Sequence, residues 1–160
     1  MTNLKDWKFE KRENFNAWVE TIEERILDWE HSLGEGIRSK LDYSIGSLDE
    51  IEKYLVNRFK LQDLENDQNR WEIDAIASYV MKVFEKNWSS WKYVLELDDD
   101  QSILFNKPAI ITQPQIGTAF SPYMFIRAII NTGRIGVFRK NLESRKHKLD
   151  LLEHGNDHPA

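Results

Sequence analysis

The chain has 160 residues and a net charge of −5, with 41% hydrophobic, 31% charged and 12% aromatic residues. This length and composition predict one folded domain with a substantial core and argue against a disordered chain. The chain contains no cysteine, which excludes disulfide bonds, thiolate metal sites and a cysteine nucleophile.

The first predicted helix covers residues 12–30. Its apolar residues recur at spacings of three and four, so they form one stripe along the helix. This stripe comprises Phe15, Trp18, Val19, Ile22, Ile26 and Trp29. Gly34 and Gly36 end the pattern, because glycine has a high entropic cost inside a helix. Residues 34–46 are therefore predicted to form a connection with a short turn of helix.

The second predicted helix begins at Ser47, whose hydroxyl is expected to cap free backbone N–H groups. Glu50 stands three residues later and completes the sequence pattern of a capping box. The apolar side of this helix consists of Leu48, Ile51, Leu55 and Phe59. The polar residues 61–69 that follow are predicted to form a loop.

The third predicted helix, residues 70–87, has the most extensive helical pattern and is expected to be the central core helix. Its apolar residues are Ile73, Ile76, Ala77, Val80, Met81 and Phe84. The period then changes from helical spacing to alternation, which predicts a strand over residues 91–97. Residues 98–102 form a turn, and a second strand is predicted within residues 103–112. Pro108 interrupts this strand and indicates an edge position or a bend.

The last well-marked helix is predicted between Ser121, as the N-cap, and Gly133, as the residue beyond its end. It is apolar nearly all round, so we expect it to be buried on more than one side. Another helix is predicted over residues 137–152. Together these elements predict a helix-rich α+β domain, residues 1–153, in which a small antiparallel β-hairpin packs against two core helices. Residues 154–160 are expected to form a flexible tail.

The sequence contains no motif for a metal, a cofactor or a catalytic nucleophile. The acidic run at residues 98–100 lacks the spacing of a calcium loop and is expected to be a solvated turn. The four histidines form no metal-binding pattern, and the glycines form no phosphate-binding fingerprint. We therefore predict no cofactor and no metal.

Membrane insertion is not expected, because no segment approaches the ~20 apolar residues that span a bilayer. Residues 1–10 also lack the apolar core of a signal peptide. The expected location is therefore the cytoplasm.

Two charged residues lie within apolar helical patterns, Asp74 in the central helix and Arg127 in the helix after Ser121. A buried carboxylate with a perturbed pKa often marks a functional site. A dispersed enzymatic site around Asp74, Tyr123 and Arg127 is therefore one hypothesis. The alternative is a structural ion pair between Asp74 and Arg127, because buried charges are normally paired.

The segment of residues 134–148 is the strongest electrostatic feature. It contains six basic residues and one acidic residue, a net charge of +5, which leaves −10 for the rest of the chain. Arg134, Arg139 and Lys140 are candidates for binding phosphates or an acidic protein, although a solvated helix face is the simpler interpretation. The acidic remainder of the chain disfavours nucleic acid as a partner.

Three stretches share the order helix, hairpin and helix: IDAIASYV at residues 73–80, the hairpin at residues 91–111, and SPYMF at residues 121–125. Over residues 71–133 this organisation resembles small uncharacterised bacterial α+β proteins, some of which are similar to immunity proteins of bacterial toxin systems. The resemblance implies a protein-binding role and no catalytic residues. The leading hypothesis is a non-enzymatic, immunity-like or regulatory protein whose acidic surface binds a basic protein partner.

Overall fold

The computed structural model describes Phe9 and residues 12–154. The predicted tail therefore lies outside the described residues from residue 155 onward. Seven α-helices lie in the described part of the chain: α1 (Arg12–Glu20), α2 (Ile22–Ser32), α3 (Glu35–Arg38), α4 (Ser47–Arg58), α5 (Arg70–Asn87), α6 (Tyr123–Thr132) and α7 (Val137–His154). Two strands, β1 (Trp91–Val94) and β2 (Ala109–Thr112), form an antiparallel pair. The predicted helix-rich α+β fold with one hairpin is confirmed.

The long first helix predicted over residues 12–30 is two helices, which separate at Thr21. The Thr21 hydroxyl donates hydrogen bonds to the backbone carbonyls of Ala17 and Trp18, at 3.2 and 3.1 Å. In an uninterrupted helix, those carbonyls would accept from backbone N–H groups one turn later. The hydroxyl competes with the helical ladder at this point, so the apolar stripe continues across a break in the backbone.

Helix α4 begins at Ser47, but the predicted capping box is wrong. The Ser47 hydroxyl donates to the Ser44 carbonyl at 2.6 Å and accepts a hydrogen bond from the Tyr79 hydroxyl at 2.8 Å. Glu50 instead approaches Lys53 and Lys40, at 3.3 and 3.6 Å. Gly46, and not Ser47, occupies the N-cap position of α4, and the Ser47 hydroxyl joins α4 to α5 instead.

Helix α5 is the centre of the fold, and its predicted limits are confirmed. Thirteen of its 18 residues are buried, including the charged residues Arg70, Glu72 and Asp74. Helices α2, α4 and α7 and strand β2 all contact it. Because neighbours surround α5, polar side chains that an exposed helix would leave in water must find partners inside the protein.

The hairpin packs on α5 through β2, all four residues of which are buried. Strand β2 begins directly after Pro108, and Ile110 pairs with β1 on one side and with Phe120 on the other. The proline therefore precedes the paired strand and leaves its hydrogen bonds intact. The Phe120 ring stacks on that of Phe84, with centroids 4.3 Å apart, and fixes the segment before α6 against α5.

Helix α6 ends at Gly133 as predicted, where the backbone adopts the left-handed conformation with a φ of 67°. Ser121 does not cap this helix, since its hydroxyl donates to the Pro108 carbonyl at 2.8 Å. The expectation that α6 is buried on more than one side is also wrong: Ile126 and Ile129 are buried, whereas Arg127 and Ala128 are exposed. Among the described residues, no helix is long and apolar enough to cross a membrane.

Candidate functional site

Asp74 lies on α5 at the centre of a buried polar cluster. Its Oδ1 atom accepts hydrogen bonds from Arg70 Nε at 2.9 Å and from the Tyr123 hydroxyl at 2.8 Å. Burial raises the pKa of Asp74, although its two donors act in the opposite direction. The pKa of the Tyr123 phenol is raised well above its usual value, first by burial and then by the neighbouring carboxylate.

Arg25, on α2, provides a second guanidinium beside this cluster. Its Nε donates to the Ser78 hydroxyl at 3.1 Å, and its Nη2 donates to the Trp18 carbonyl at 2.9 Å. The guanidinium also lies over the Trp18 ring, 4.3 Å from the centroid. Two arginines thus flank Asp74, and these contacts tie α2 and α6 to α5. An arrangement of this kind compensates buried charge and fixes helix positions.

The hypothesis of an Asp74–Arg127 pair is wrong. Arg127 is exposed on α6 and approaches Glu65, with 3.4 Å between Nη1 and Oε1. The structure brings Asp74 and Tyr123 together, as the enzymatic hypothesis requires, but places Arg127 elsewhere. Of four cavities of about 240–590 Å³ on the described surface, none is lined by these three residues. None of these four cavities therefore gives a substrate access to the Asp74 carboxylate.

A second buried carboxylate, Glu72, joins α5 to α2 and α4. It accepts hydrogen bonds from Trp29 Nε1 at 3.0 Å, from the Tyr54 hydroxyl at 2.5 Å and from Arg58 Nε at 3.2 Å. Sequence reasoning missed this cluster, because two of its three donors are neutral aromatic side chains without a charge signal. Its role is structural, since Trp29 joins α2 to α5 and Tyr54 and Arg58 join α4 to α5.

The basic segment of residues 134–148 comprises the three residues before α7 and the first two thirds of that helix. The carboxylate of Glu52, on α4, accepts from the backbone N–H groups of Gly136, Val137 and Phe138 at 2.9, 3.2 and 2.8 Å. These are the groups with which a helix N-terminus would bind a phosphate. The N-terminus of α7 is therefore already occupied by a carboxylate from within the fold.

The three basic residues singled out from this segment have different environments. Arg139 pairs with Asp49, with 3.2 Å between Nη1 and Oδ2. Arg134 and Lys140 are exposed, and neither forms an ion pair within the part of the chain that the structure describes. Arg139 and Lys140 line one shallow cavity, whereas Arg134 does not.

The outer face of α2 combines acidic groups with an exposed apolar side chain. Residues 12–35 include seven acidic and two basic residues, a net charge of −5. Leu27 is 51% exposed and lies one helical turn from Glu24 and adjacent to Asp28. Within the described residues, Glu20, Glu24 and Asp28 are exposed and form no ion pair. We call Glu24, Leu27 and Asp28, together with Glu20 at the end of α1, the α2 acidic face.

Comparison of the chain with protein-family models, with curated proteins and with solved structures gave no match.

Among the residues that the structure describes, no three histidine, aspartate or glutamate side chains are grouped to hold a metal ion. The described fold contains three candidate functional regions: the buried Asp74 cluster, the basic side of α7 and the α2 acidic face. They differ in whether their charged groups are already matched by partners within the protein.

Proposed function

We propose that this chain is a non-enzymatic protein-binding protein that uses the α2 acidic face to bind a basic surface of another protein. The supporting observation is the exposed Leu27 among acidic side chains that the described residues leave unpaired. Exposed carboxylates accelerate encounter with a basic partner, and a central apolar side chain contributes affinity once water is excluded. An immunity-like or regulatory role is the finer form of this proposal.

Two other functions have less support. An enzymatic site at Asp74 would have to use a carboxylate that is already engaged by Arg70 and Tyr123. Nucleic-acid binding through α7 would have to proceed with the helix N-terminus filled by Glu52 and with Arg139 paired to Asp49. At Asp74 the group that the chemistry needs has partners inside the protein. In the basic segment, Arg134 and Lys140 form no ion pair within the described residues, but the net charge of −5 opposes a nucleic-acid strand.

The test is affinity capture from a lysate of the source cells with three forms of the protein. The wild-type chain is compared with Glu24→Lys/Asp28→Lys, which reverses two charges on the α2 acidic face. Glu143→Lys/Asp150→Lys is the matched control, because it makes the same change in net charge at exposed positions of α7. We expect a basic partner to bind the wild type and the control and to be lost from the α2 variant.

The captured partner should also dissociate as the salt concentration rises from about 0.05 M to about 0.5 M, because screening weakens contacts between exposed charges. Leu27→Ser should weaken binding without changing this salt dependence, since it removes apolar contact and no charge. A partner retained equally by the α2 variant would contradict the proposal, as would the absence of any partner with the wild type.

A further inference from the structure

A cavity of about 270 Å³ lies between α7 and the loop that precedes Phe120. Its lining contains two cationic side chains and several polar groups but no acidic residue. The lining residues are Ile116, Gly117, Thr118, Asn141, Ser144, Arg145 and Lys148. This volume is sufficient for a small anion and part of the molecule that bears it. The cavity is on α7, and nothing in its lining belongs to the α2 acidic face.

Arg145 distinguishes this cavity from the rest of the basic segment. It is only partly exposed, its Nη1 donates to the Thr118 carbonyl, and its guanidinium lies 5.9 Å from the centroid of Phe120. Since Phe120 belongs to the aromatic core, the guanidinium is held against a rigid base. Within the described residues it forms no ion pair, and burial lowers the pKa of its side chain.

A partly buried guanidinium without a carboxylate is unusual, because buried charges are normally compensated by an opposite charge. Here the cavity lining around Arg145 contains further hydrogen-bond donors and no carboxylate to compensate its charge. Lys148 lies one helical turn after Arg145, and Ser144 also lines the cavity. The backbone N–H groups of Gly117 and Thr118 donate to no group within the described part of the protein.

The conformation of the loop depends on Gly117, whose φ of 67° is one that glycine adopts without steric cost. This loop lies across the cavity from α7. The loop and α7 therefore both line one cavity, so groups from two elements are available to a tetrahedral anion.

We propose that this cavity binds the phosphate group of a small phosphate monoester, with Arg145 and Lys148 as its positive partners. A phosphate monoester is close to a dianion at neutral pH and offers three acceptor oxygens, which match two cations and neutral donors. A carboxylate carries one charge and would leave one cation unmatched. A nucleic-acid strand is disfavoured, since the net charge of the chain is −5 and a strand would also meet its acidic surfaces.

The experiment is a titration of the full chain with inorganic phosphate at constant ionic strength, followed by ¹H–¹⁵N NMR. We expect the amide signals of Gly117 and Thr118 to shift and to saturate, with a dissociation constant on the order of millimolar. Acetate, titrated in the same way, should produce weaker binding at these amides. Binding to phosphate in preference to acetate would identify a dianion site.

Three variants with the same change in charge complete the test: Arg145→Gln, Lys148→Gln and, as the control, Arg134→Gln. Loss of a charge-assisted hydrogen bond should weaken phosphate binding about tenfold in the first variant and about threefold in the second. The control should bind as the wild type does, because Arg134 does not line the cavity. Lys148 is exposed, so its variant decides the matter if Arg145→Gln fails to fold.

The proposal would be overturned by shifts that rise linearly with phosphate and never saturate. It would also be overturned by equal weakening in all three variants, which would indicate general attraction to a basic surface, or by acetate binding as tightly as phosphate. None of these outcomes depends on the α2 acidic face, so failure here leaves the proposed protein-binding role unaffected.

Discussion

Replacement of Glu52 by alanine should destabilise the protein because it removes the acceptor for three backbone donors of α7. The Glu52 side chain is fully buried, and its two oxygens accept from Gly136, Val137 and Phe138. Helix α7 has no other side chain from the described residues on these N–H groups. The carboxylate therefore acts as a cap supplied from 84 to 86 residues earlier in the chain.

The magnitude follows from the environment of each donor. The Phe138 N–H is buried, so leaving it without an acceptor costs about 1–3 kcal/mol. Gly136 and Val137 are partly exposed, so water replaces part of what is lost and each contributes about 0.5–1 kcal/mol. Burial raises the pKa of Glu52, which shows that desolvation offsets part of this stabilisation. The expected loss is about 3 kcal/mol for Glu52→Ala, and about 1.5 kcal/mol for Glu52→Gln, which keeps one acceptor.

The assay is equilibrium unfolding in urea at pH 7, with the free energy of unfolding taken from the linear dependence on denaturant. Glu50→Ala is the matched control, because Glu50 lies on the same helix and contacts only exposed lysines. Pairs of that kind contribute at most about 1 kcal/mol. Equal losses for Glu52→Ala and Glu50→Ala, with unchanged denaturant dependence, would refute the claim that Glu52 caps α7.

Three further predictions concern the clusters around α5 and the end of α6. Tyr123→Phe should lower the free energy of unfolding by about 1–3 kcal/mol, because the Asp74 carboxylate loses a donor. Arg127→Ala is the control and should lower it by less than about 0.5 kcal/mol, because Arg127 is exposed. Equal losses would argue against the hydrogen bond between Tyr123 and Asp74. Gly133→Ala should cost about 1 kcal/mol in thermal unfolding, since alanine is strained at a φ of 67°. Absorbance at 295 nm should show no tyrosine titrating near pH 10 in the folded protein, because burial raises the pKa of all five, to about 12 for two of them. The folded chain then holds its phenol protons more tightly than the unfolded chain, so this contribution to stability is complete below pH ~10 and is lost as the pH rises toward the folded values. A denatured sample is the control, and a native transition near pH 10 would contradict the burial of these hydroxyls. The five tyrosines of this prediction are Tyr43, Tyr54, Tyr79, Tyr93 and Tyr123.

Local signals in the sequence predicted the elements whose ends depend on local chemistry. Helix α5 was bounded correctly because its apolar period is long, and the end of α6 because glycine favours the left-handed backbone at residue 133. Ser47 and Ser121 also have capping patterns, but their hydroxyls bond to Ser44 and Pro108. A hydroxyl has several possible partners, and tertiary contacts that a pattern does not contain decide between them.

The candidate site around Asp74 was predicted only in part for the same reason. Asp74 and Tyr123 are in contact, as the hypothesis of a shared site requires, but Arg127 lies elsewhere. The sequence could not predict the position of Arg127, because a pattern that is apolar nearly all round α6 does not show which side of the helix faces water. The outward side of α6 is set by its packing against α4, which no local window of sequence contains.

The buried carboxylates show which charges the fold uses internally. Glu52, Glu72 and Asp74 are each bonded to at least two donors, mostly neutral groups or backbone N–H groups far along the chain. Charge patterns in the sequence could not reveal such pairs, because neutral donors leave no complementary charge to find. The buried carboxylates thus have partners within the fold, so the charged groups without such partners among the described residues are the candidates for binding other molecules. Binding to other molecules is therefore expected where acidic groups surround Leu27 and where Arg145 lacks an acidic partner.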